Sequence, residues 1–142
     1  MGEDLLRRIS DEMEIRNLIA RFAQISDVGS AEDYASCITE DSVWETTVGR
    51  GQIRRGLADC LAGLAQRRTP GKHHQGPGSN SRHAVSTTHV RLNGDEANAV
   101  SYVELIRDSA TKPQLAMICT YTDEFRRTSD GWKLSKRVVA LA

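Results

Sequence analysis

The sequence lacks the cysteine pattern of a disulfide-stabilised or metal-binding protein. It has three cysteines, an odd number, and no CxxC pair. All three lie far apart among apolar residues, at Cys37, Cys60 and Cys119. This usage is typical of reduced, buried thiols in a cytosolic protein.

The chain also lacks an excess of charge of either sign. Lysine plus arginine number 19, and aspartate plus glutamate number 19. This balance gives no electrostatic reason to expect nucleic acid or an anionic membrane as a partner. The basic pairs Arg67–Arg68 and Arg126–Arg127 have acidic or polar neighbours, so we interpret them as solvated surface.

Long apolar runs and cofactor motifs are missing as well. No apolar run approaches the roughly 20 residues that span a bilayer, and the opening "MGEDLLRRISDEMEIRN" is too charged for a signal peptide. The segments "GRGQIRRG" and "GPGSNS" lack the spacing of a phosphate-binding loop. His73 and His74 are adjacent, but no ligand constellation accompanies them. We therefore expect one cytoplasmic domain over residues 1–142, with no metal and no cofactor.

The first half of the chain predicts three helices and one short strand. Apolar residues at helical spacing predict a helix near residues 11–28, with a capping box at Asp11 and Glu14 and an end at Gly29. Ser30 with Asp33 predicts the start of a short second helix. "DSVWETTVGR" is typical of a strand, and a third apolar stripe runs from Ile53 to Leu64. Residues 66–81 form a polar, glycine-rich loop that is either a lid or disordered.

The second half predicts four strands joined by short turns. They are "RHAVSTTHVRL", "EANAVSYVELIRDS", "QLAMICTYTDEFRRT" and "WKLSKRVVAL". Short connections favour an antiparallel meander. Helices that precede such a sheet indicate an α+β fold, in which the helices cover one face and enclose a cone-shaped pocket.

Two polar residues attract attention within this outline. At about 100° per residue, Asp27 falls roughly 120–140° from the centre of the apolar stripe of the first helix, at its edge. A carboxylate is also unfavourable near a helix C-terminus. His83 begins the first long strand and faces the covered side if it points inward with Val85 and Thr87.

Alternation along the strands sorts further candidates. His89 shares the parity of His83 unless a bulge intervenes, and lies ~20 Å further on at ~3.3 Å per residue, so we expect it to be structural or exposed. Tyr102 and Glu104 share one face of their strand, and alternation alone does not decide whether that face is inward or outward. Tyr121 shares a face with Asp123 and is expected to line the pocket. Trp44 and Trp132 are expected mainly in the core, with Trp44 retained as a candidate substrate contact.

The order of elements resembles that of the nuclear-transport-factor-2-like (NTF2-like) superfamily, and more closely its SnoaL-like branch. The motifs that carry the resemblance cover nearly the whole chain: "IRNLIARFAQISDVG", "YASCITEDSVWE", "RHAVSTTHVRLNGDEANA" and "YTDEFRRTSDGWKLSKRVV". The resemblance implies a cone-shaped α+β barrel. It does not imply one reaction, because the superfamily hosts dehydratases, isomerases, cyclases, epoxide hydrolases and noncatalytic subunits.

The resemblance also implies roles for particular residues. Asp27 and His83 match the catalytic aspartate and histidine of the dehydratases that act on polyketides or steroids. Phe22 stands where the steroid-type dehydratases carry a tyrosine, and Glu104 and Arg137 are the nearest candidates for their acidic residue and arginine. The ketosteroid-isomerase mechanism is rejected, because Phe22 and Thr46 replace its tyrosine and its aspartate base.

The leading hypothesis is therefore a cofactor-free lyase or isomerase acting on a hydrophobic polyketide, steroid or terpenoid. An imidazole with the ordinary pKa of about 6.5 takes and returns a proton near neutrality. Asp27 would orient and stabilise it. The candidate substrate contacts are Phe22, Trp44, Tyr102, Glu104, Tyr121 and Arg137.

Two alternatives of other classes stay open. One is a noncatalytic ligand-binding module or the small, β-type subunit of a dioxygenase-like complex. The other is an interaction scaffold. In either case, and for the enzyme too, we expect a homodimer or homotrimer formed through the sheet.

Overall fold

The computed structural model describes residues 2–71 and 74–141 and contains the predicted elements with one additional strand. The helices are α1 (Gly2–Val28), α2 (Ala31–Ser36) and α3 (Leu57–Arg67). The strands are β1 (Ile38–Thr46), β2 (Gln52–Arg55), β3 (Arg82–Asn93), β4 (Glu96–Arg107), β5 (Gln114–Thr128) and β6 (Gly131–Leu141).

The six strands form one curved, unclosed sheet in the order β2-β1-β6-β5-β4-β3. Strands β3 to β6 form the predicted antiparallel meander, and β1 joins it by pairing parallel to β6. The helices lie on one face, with α1 against β3 and α3 against β1 and β2. The predicted α+β cone is thus confirmed. None of the described helices combines the length and apolar character needed to cross a bilayer.

The core lies between α1 and the concave face of the sheet. Ile15, Ile19, Phe22 and Ile25 are buried on the stripe of α1 that the spacing predicted, and they pack against the inward residues of the sheet. The three cysteines are buried and unbridged, as expected. Ser30 and Asp33 form the predicted capping box of α2.

The start of α1 was predicted wrongly. The helix begins at Gly2 rather than near residue 11, because residues 3–13 contain no proline or glycine to stop it. Asp11 therefore lies inside the helix, where its carboxylate accepts hydrogen bonds from Arg127 at 2.6 and 2.8 Å and from Trp132 Nε1 at 3.1 Å. The hydrogen bonds from Arg127 are the main reason why the pKa of Asp11 lies below its ordinary value.

The third helix also begins later than its apolar stripe predicted. Ile53 belongs to β2, which pairs with β1, and α3 starts only at Leu57. Gly51 and Gly56 have φ of +74° and +85° and bracket the strand. Because residues other than glycine rarely adopt such angles, Gly51 marks the turn between β1 and β2, and Gly56 separates β2 from α3.

A bulge in β3 reverses which side chains face the core. The register shifts between Ser86 and His89, and Thr87 has a φ of +52°. One extra residue sends Thr87 outward and Thr88 inward, where its hydroxyl lies 3.0 Å from that of Ser101. The expectation that Thr87 faces the core was therefore wrong. His89 is exposed, which is one of the two placements predicted for it.

Candidate active site

Asp27 and His83 lie in direct contact at the junction of α1 and β3. The Nδ1 atom of His83 is 2.6 Å from Oδ1 of Asp27, and the backbone N–H of His83 donates to both carboxylate oxygens at 3.1 and 3.2 Å. The side chains are only 10% and 5% exposed for His83 and Asp27 respectively. Since an ionised carboxylate only accepts, this contact places the proton of a neutral His83 on Nδ1 and leaves the lone pair on Nε2.

The edge position of Asp27 on α1 explains this contact. Helix α1 packs along β3, so the edge of its apolar stripe faces the beginning of that strand rather than solvent. The carboxylate there meets the backbone and ring N–H groups of His83, which compensate for its burial. Helical geometry alone predicted a borderline position for Asp27, but the residue is buried and only 4% exposed.

His83 lines a cavity between the helices and the concave face of the sheet, which we call the inner cavity. It has a volume of about 90 Å³. Its apolar wall comes from Phe22, Trp44, Leu64, Val103, Leu105, Met117, Cys119 and Val139. Its polar wall comes from Ser26, Tyr34, Arg67, Arg68, Gln75, His83, Tyr121 and Arg137. No described residue that lines it is acidic.

A buried ion pair forms one side of the inner cavity. Arg137 donates from Nε and Nη2 to the two oxygens of Asp123, each at 2.8 Å. Asp123 is 0% exposed and Arg137 is 4% exposed. Burial alone would lower the pKa of Arg137, but the adjacent carboxylate raises it above its ordinary value, so the side chain stays charged.

Tyr121 lies beside this ion pair. The guanidinium carbon of Arg137 is 3.9 Å from the centre of the Tyr121 ring and 4.9 Å from that of Phe22. Burial raises the pKa of Tyr121 to about 12. The Tyr121 hydroxyl is therefore neutral at ordinary pH and can donate a hydrogen bond into the cavity.

The predicted substrate contacts divide into two groups. Phe22, Trp44, Tyr121 and Arg137 all line the inner cavity. Tyr102 and Glu104 are exposed on the opposite face of the sheet, which corrects their assignment. Burial alternates along β4, and the side chains that face the helices are the odd-numbered ones, including Ser101, Val103 and Leu105.

Arg67 and Arg68 contribute to the cavity, contrary to the expectation of solvated surface. Arg67 donates to the hydroxyl of Tyr34 at 3.4 Å and lies 4.4 Å from the centre of the Trp44 ring. Arg68 donates to the carbonyls of Ile25 and Ser26 at the end of α1, at 2.8 and 3.3 Å. A sequence signal existed, since both arginines follow the buried Leu64 at the i+3 and i+4 positions of its helix face.

Tyr34 and Asp123 were not recognised as site residues from sequence either. The Tyr34 ring lies 4.5 Å from that of Phe22, and burial raises the pKa of its hydroxyl. A phenol therefore stands next to the phenylalanine that occupies the tyrosine position of the resembling dehydratases. Alternation along β5 places Asp123 on the face of Tyr121, but no local pattern identifies Arg137 as its partner.

A second, outer cavity adjoins the inner one. It has a volume of about 290 Å³ and shares five lining residues with the inner cavity: Trp44, Arg67, Gln75, Met117 and Val139. Gln75 comes from the predicted loop, and its backbone N–H donates to the carbonyl of Arg67 at 2.9 Å. Gln75 thus packs at the junction of the two cavities.

His73 and His74 of this loop were the residues considered for a metal site, and none was predicted there. His73 lies outside the described residues. Across residues 2–71 and 74–141, no three side chains of histidine, cysteine, aspartate or glutamate come together as metal ligands.

Known proteins share this framework. The SnoaL-like domain family matches residues 7–138. An NTF2-like protein with a cystatin-like fold from Novosphingobium aromaticivorans superposes with a TM-score of 0.83 at 26% identity, over 98% of this chain and 86% of that one. A proposed dehydratase of the NTF2-like family from Streptomyces avermitilis superposes with a TM-score of 0.73 at 16% identity, over 94% and 97%.

A third similar structure is a proposed aromatic ring hydroxylase from Novosphingobium aromaticivorans, with a TM-score of 0.76 at 23% identity, over 94% of this chain and 90% of that one. At such identities, the last two likenesses show the fold alone. Among curated proteins, no significant match was found.

Proposed function

We propose that this chain, which belongs to the SnoaL-like domain family, is a cofactor-free lyase or isomerase acting on a hydrophobic small molecule. The substrate we propose is a polyketide, steroid or terpenoid. The observation that carries the proposal is the 2.6 Å contact between Asp27 and His83 at a cavity whose wall is half apolar and half polar.

The chemistry is general acid–base catalysis by His83. Its Nε2 removes a proton from the carbon next to a substrate carbonyl, and the electron pair moves toward the carbonyl oxygen as an enolate. In a dehydration, the imidazolium or a bound water then protonates the hydroxyl at the neighbouring carbon. The C–O bond breaks, a carbon–carbon double bond forms and water leaves. Asp27 stabilises the imidazolium and holds the ring in the productive tautomer.

The enolate oxygen needs hydrogen-bond donors opposite His83. The Nη1 group of Arg137 donates to none of the described residues, and the ring of Tyr121, whose hydroxyl is neutral, stacks against the same guanidinium. Both are held by buried packing, so they need little reorganisation when charge develops. A positive group and a phenol that line the same cavity as the base favour reactions that pass through an enolate.

The dimensions of the cavities indicate how a substrate is placed. The inner cavity, of about 90 Å³, is smaller than the ~300–1,000 Å³ of typical small-molecule sites. It accommodates only the reacting end of a larger ligand. The outer cavity continues from it past Arg67 and Met117, and we propose that the remainder of the substrate lies there.

The noncatalytic alternative is less well supported by this geometry. A simple binding module or a small subunit of a larger complex has no need for a carboxylate that orients an imidazole. If His83 were only structural, its Nε2 would be expected to have a partner, yet it forms no hydrogen bond with a described residue.

Proton abstraction can be tested before the substrate is known. We expect the full chain, incubated in deuterated buffer with a panel of polycyclic and terpenoid β-hydroxy ketones, to exchange or eliminate at least one substrate ~10²-fold or more faster than buffer alone. NMR measures deuterium incorporation next to the carbonyl, and mass spectrometry measures loss of water. If the whole panel reacts at the buffer rate, the proposed chemistry is wrong for these carbonyl classes.

We also propose a homodimer or homotrimer through the outer face of the sheet. Large apolar side chains are exposed there on β4 and β5: Val100 (40%), Tyr102 (52%), Leu115 (58%) and Ile118 (45%). Mass measurement by light scattering at micromolar concentration is expected to give two or three times the 15.7 kDa chain mass. The double variant Val100→Lys, Ile118→Lys is expected to shift it to the monomer, and a monomeric wild-type chain would refute the proposal.

A further inference from the structure

We propose that the substrate is an acid whose carboxylate binds Arg67 while its reacting end lies at His83. This inference rests on the proposed function and adds the class of substrate. It starts from the charges at the cavities. Two of the cationic or protonatable groups have anionic partners: His83 has Asp27, and Arg137 has Asp123.

Arg67 has no such partner. It forms no salt bridge with any described residue, and its contacts are the neutral phenol of Tyr34 and the face of Trp44. None of the described residues that line either cavity is acidic. A half-buried guanidinium without a counter-anion is costly to the free protein, and a bound anion would compensate for that cost.

Arg68 strengthens the positive character of the same region. Its Nη2 is occupied by the carbonyls at the end of α1, but its Nε is buried and has no hydrogen-bond partner within the described residues. Burial, together with the neighbouring charge of Arg67, lowers the pKa of Arg68 below its ordinary value. Two adjacent arginines therefore lack a carboxylate at the inner cavity.

The position of Arg67 fits an elongated ligand. Arg67 lines both cavities, whereas His83 lines only the inner one. An acidic group at the junction would leave one end of the molecule directed toward His83 and room for substituents in the outer cavity. A carboxylate matches the fork of a guanidinium in a bidentate contact, and a single charge loses less hydration energy than a phosphate dianion on entering a partly apolar cavity.

Binding of matched probes tests this inference. The probes are trans-cinnamate, 3-phenylpropanoate and indole-3-acetate, each paired with its neutral primary amide, together with phenyl phosphate. Isothermal titration calorimetry at pH 7.5 with the full chain measures the Kd of each. We expect at least one acid to bind ~10-fold or more tightly than its amide, and Arg67→Met to reduce that preference to within about 2-fold.

Two further variants control for folding and for general charge. Arg67→Lys retains the positive charge and is expected to keep part of the preference, which serves if Arg67→Met fails to fold. Arg91→Met removes an exposed arginine of β3 and is expected to bind as the wild type does. The inference is overturned if no acid binds more tightly than its amide, if Arg67→Met keeps the preference, or if phenyl phosphate alone is preferred.

Turnover assays of the wild-type chain, made beside these titrations, separate this inference from the proposed function. Acid preference without turnover by the wild type would preserve the ligand class and remove the chemistry. Turnover of neutral substrates without acid preference would preserve the chemistry and remove the role of Arg67.

Discussion

Replacing His83 by glutamine is expected to lower turnover of a substrate found by the exchange assay by about 10³–10⁴-fold. Glutamine has a similar length and can still donate its amide N–H to Asp27, so the packing of the 10% exposed side chain changes little. It cannot take a proton at the position of Nε2. The measurement is kcat together with a single-turnover rate, which separates the chemical step from product release.

His89→Gln is the matched control for this variant. His89 lies on the same strand but is exposed on the other side of the bulge, so its replacement is expected to leave kcat unchanged within about 2-fold. Equal losses for the two variants would show that the catalytic assignment of His83 is mistaken.

Asp27→Asn probes how the imidazole is oriented. An asparagine amide would donate to Nδ1 and move the ring proton to Nε2, which gives the wrong tautomer for a base. We expect a loss of about 10³–10⁴-fold in kcat, and ¹⁵N NMR should report the change of tautomer. Because the two residues act as a unit, the double variant should be hardly slower than either single one. A fully active Asp27→Asn protein would rule out the dyad.

Asp123→Leu is expected to be the most destabilising of the substitutions considered. It leaves the 4% exposed guanidinium of Arg137 without its carboxylate. Removing one partner of a buried ion pair costs about 3–5 kcal/mol, which for a chain of this length lowers Tm by roughly 10–20 °C. Thermal unfolding followed by circular dichroism, with urea unfolding for the free energy, measures both quantities.

The double variant Asp123→Leu, Arg137→Met separates charge burial from lost packing. Replacing both partners by apolar groups removes the uncompensated charge, so most of the stability should return. Turnover should remain low, because the donor proposed for the enolate oxygen is absent. A double variant as unstable as the single one would show that the loss does not arise from the buried charge.

The strands show where the alternation of side chains predicts their orientation correctly and where it fails. The pattern along β5 placed Tyr121 and Asp123 inward, and the structure confirms it. Along β3 the same reasoning failed beyond Ser86, because the bulge at Thr87 shifts the register against β4 by one residue. Nothing in "VSTTHV" marks which threonine is the extra one, since both are equally good strand formers.

The sequence by itself determined what depends on near neighbours in the chain. The apolar stripe of α1, the capping box of Ser30 and Asp33 and the succession of helices and strands other than β2 all follow from contacts within one turn or one pleat. These were sufficient for the α+β architecture, and the resemblance they supported pointed to Asp27 and His83.

Only the tertiary structure decided which side chains share the cavity. Asp27 and His83 are separated by 56 positions in the chain, and their contact depends on α1 ending where β3 begins. Arg67 is directed inward because α3 packs over β1 and β2, which no local pattern specifies. Such contacts arise from the packing of whole elements, whose relative position is set by the combined burial of many residues rather than by any short segment.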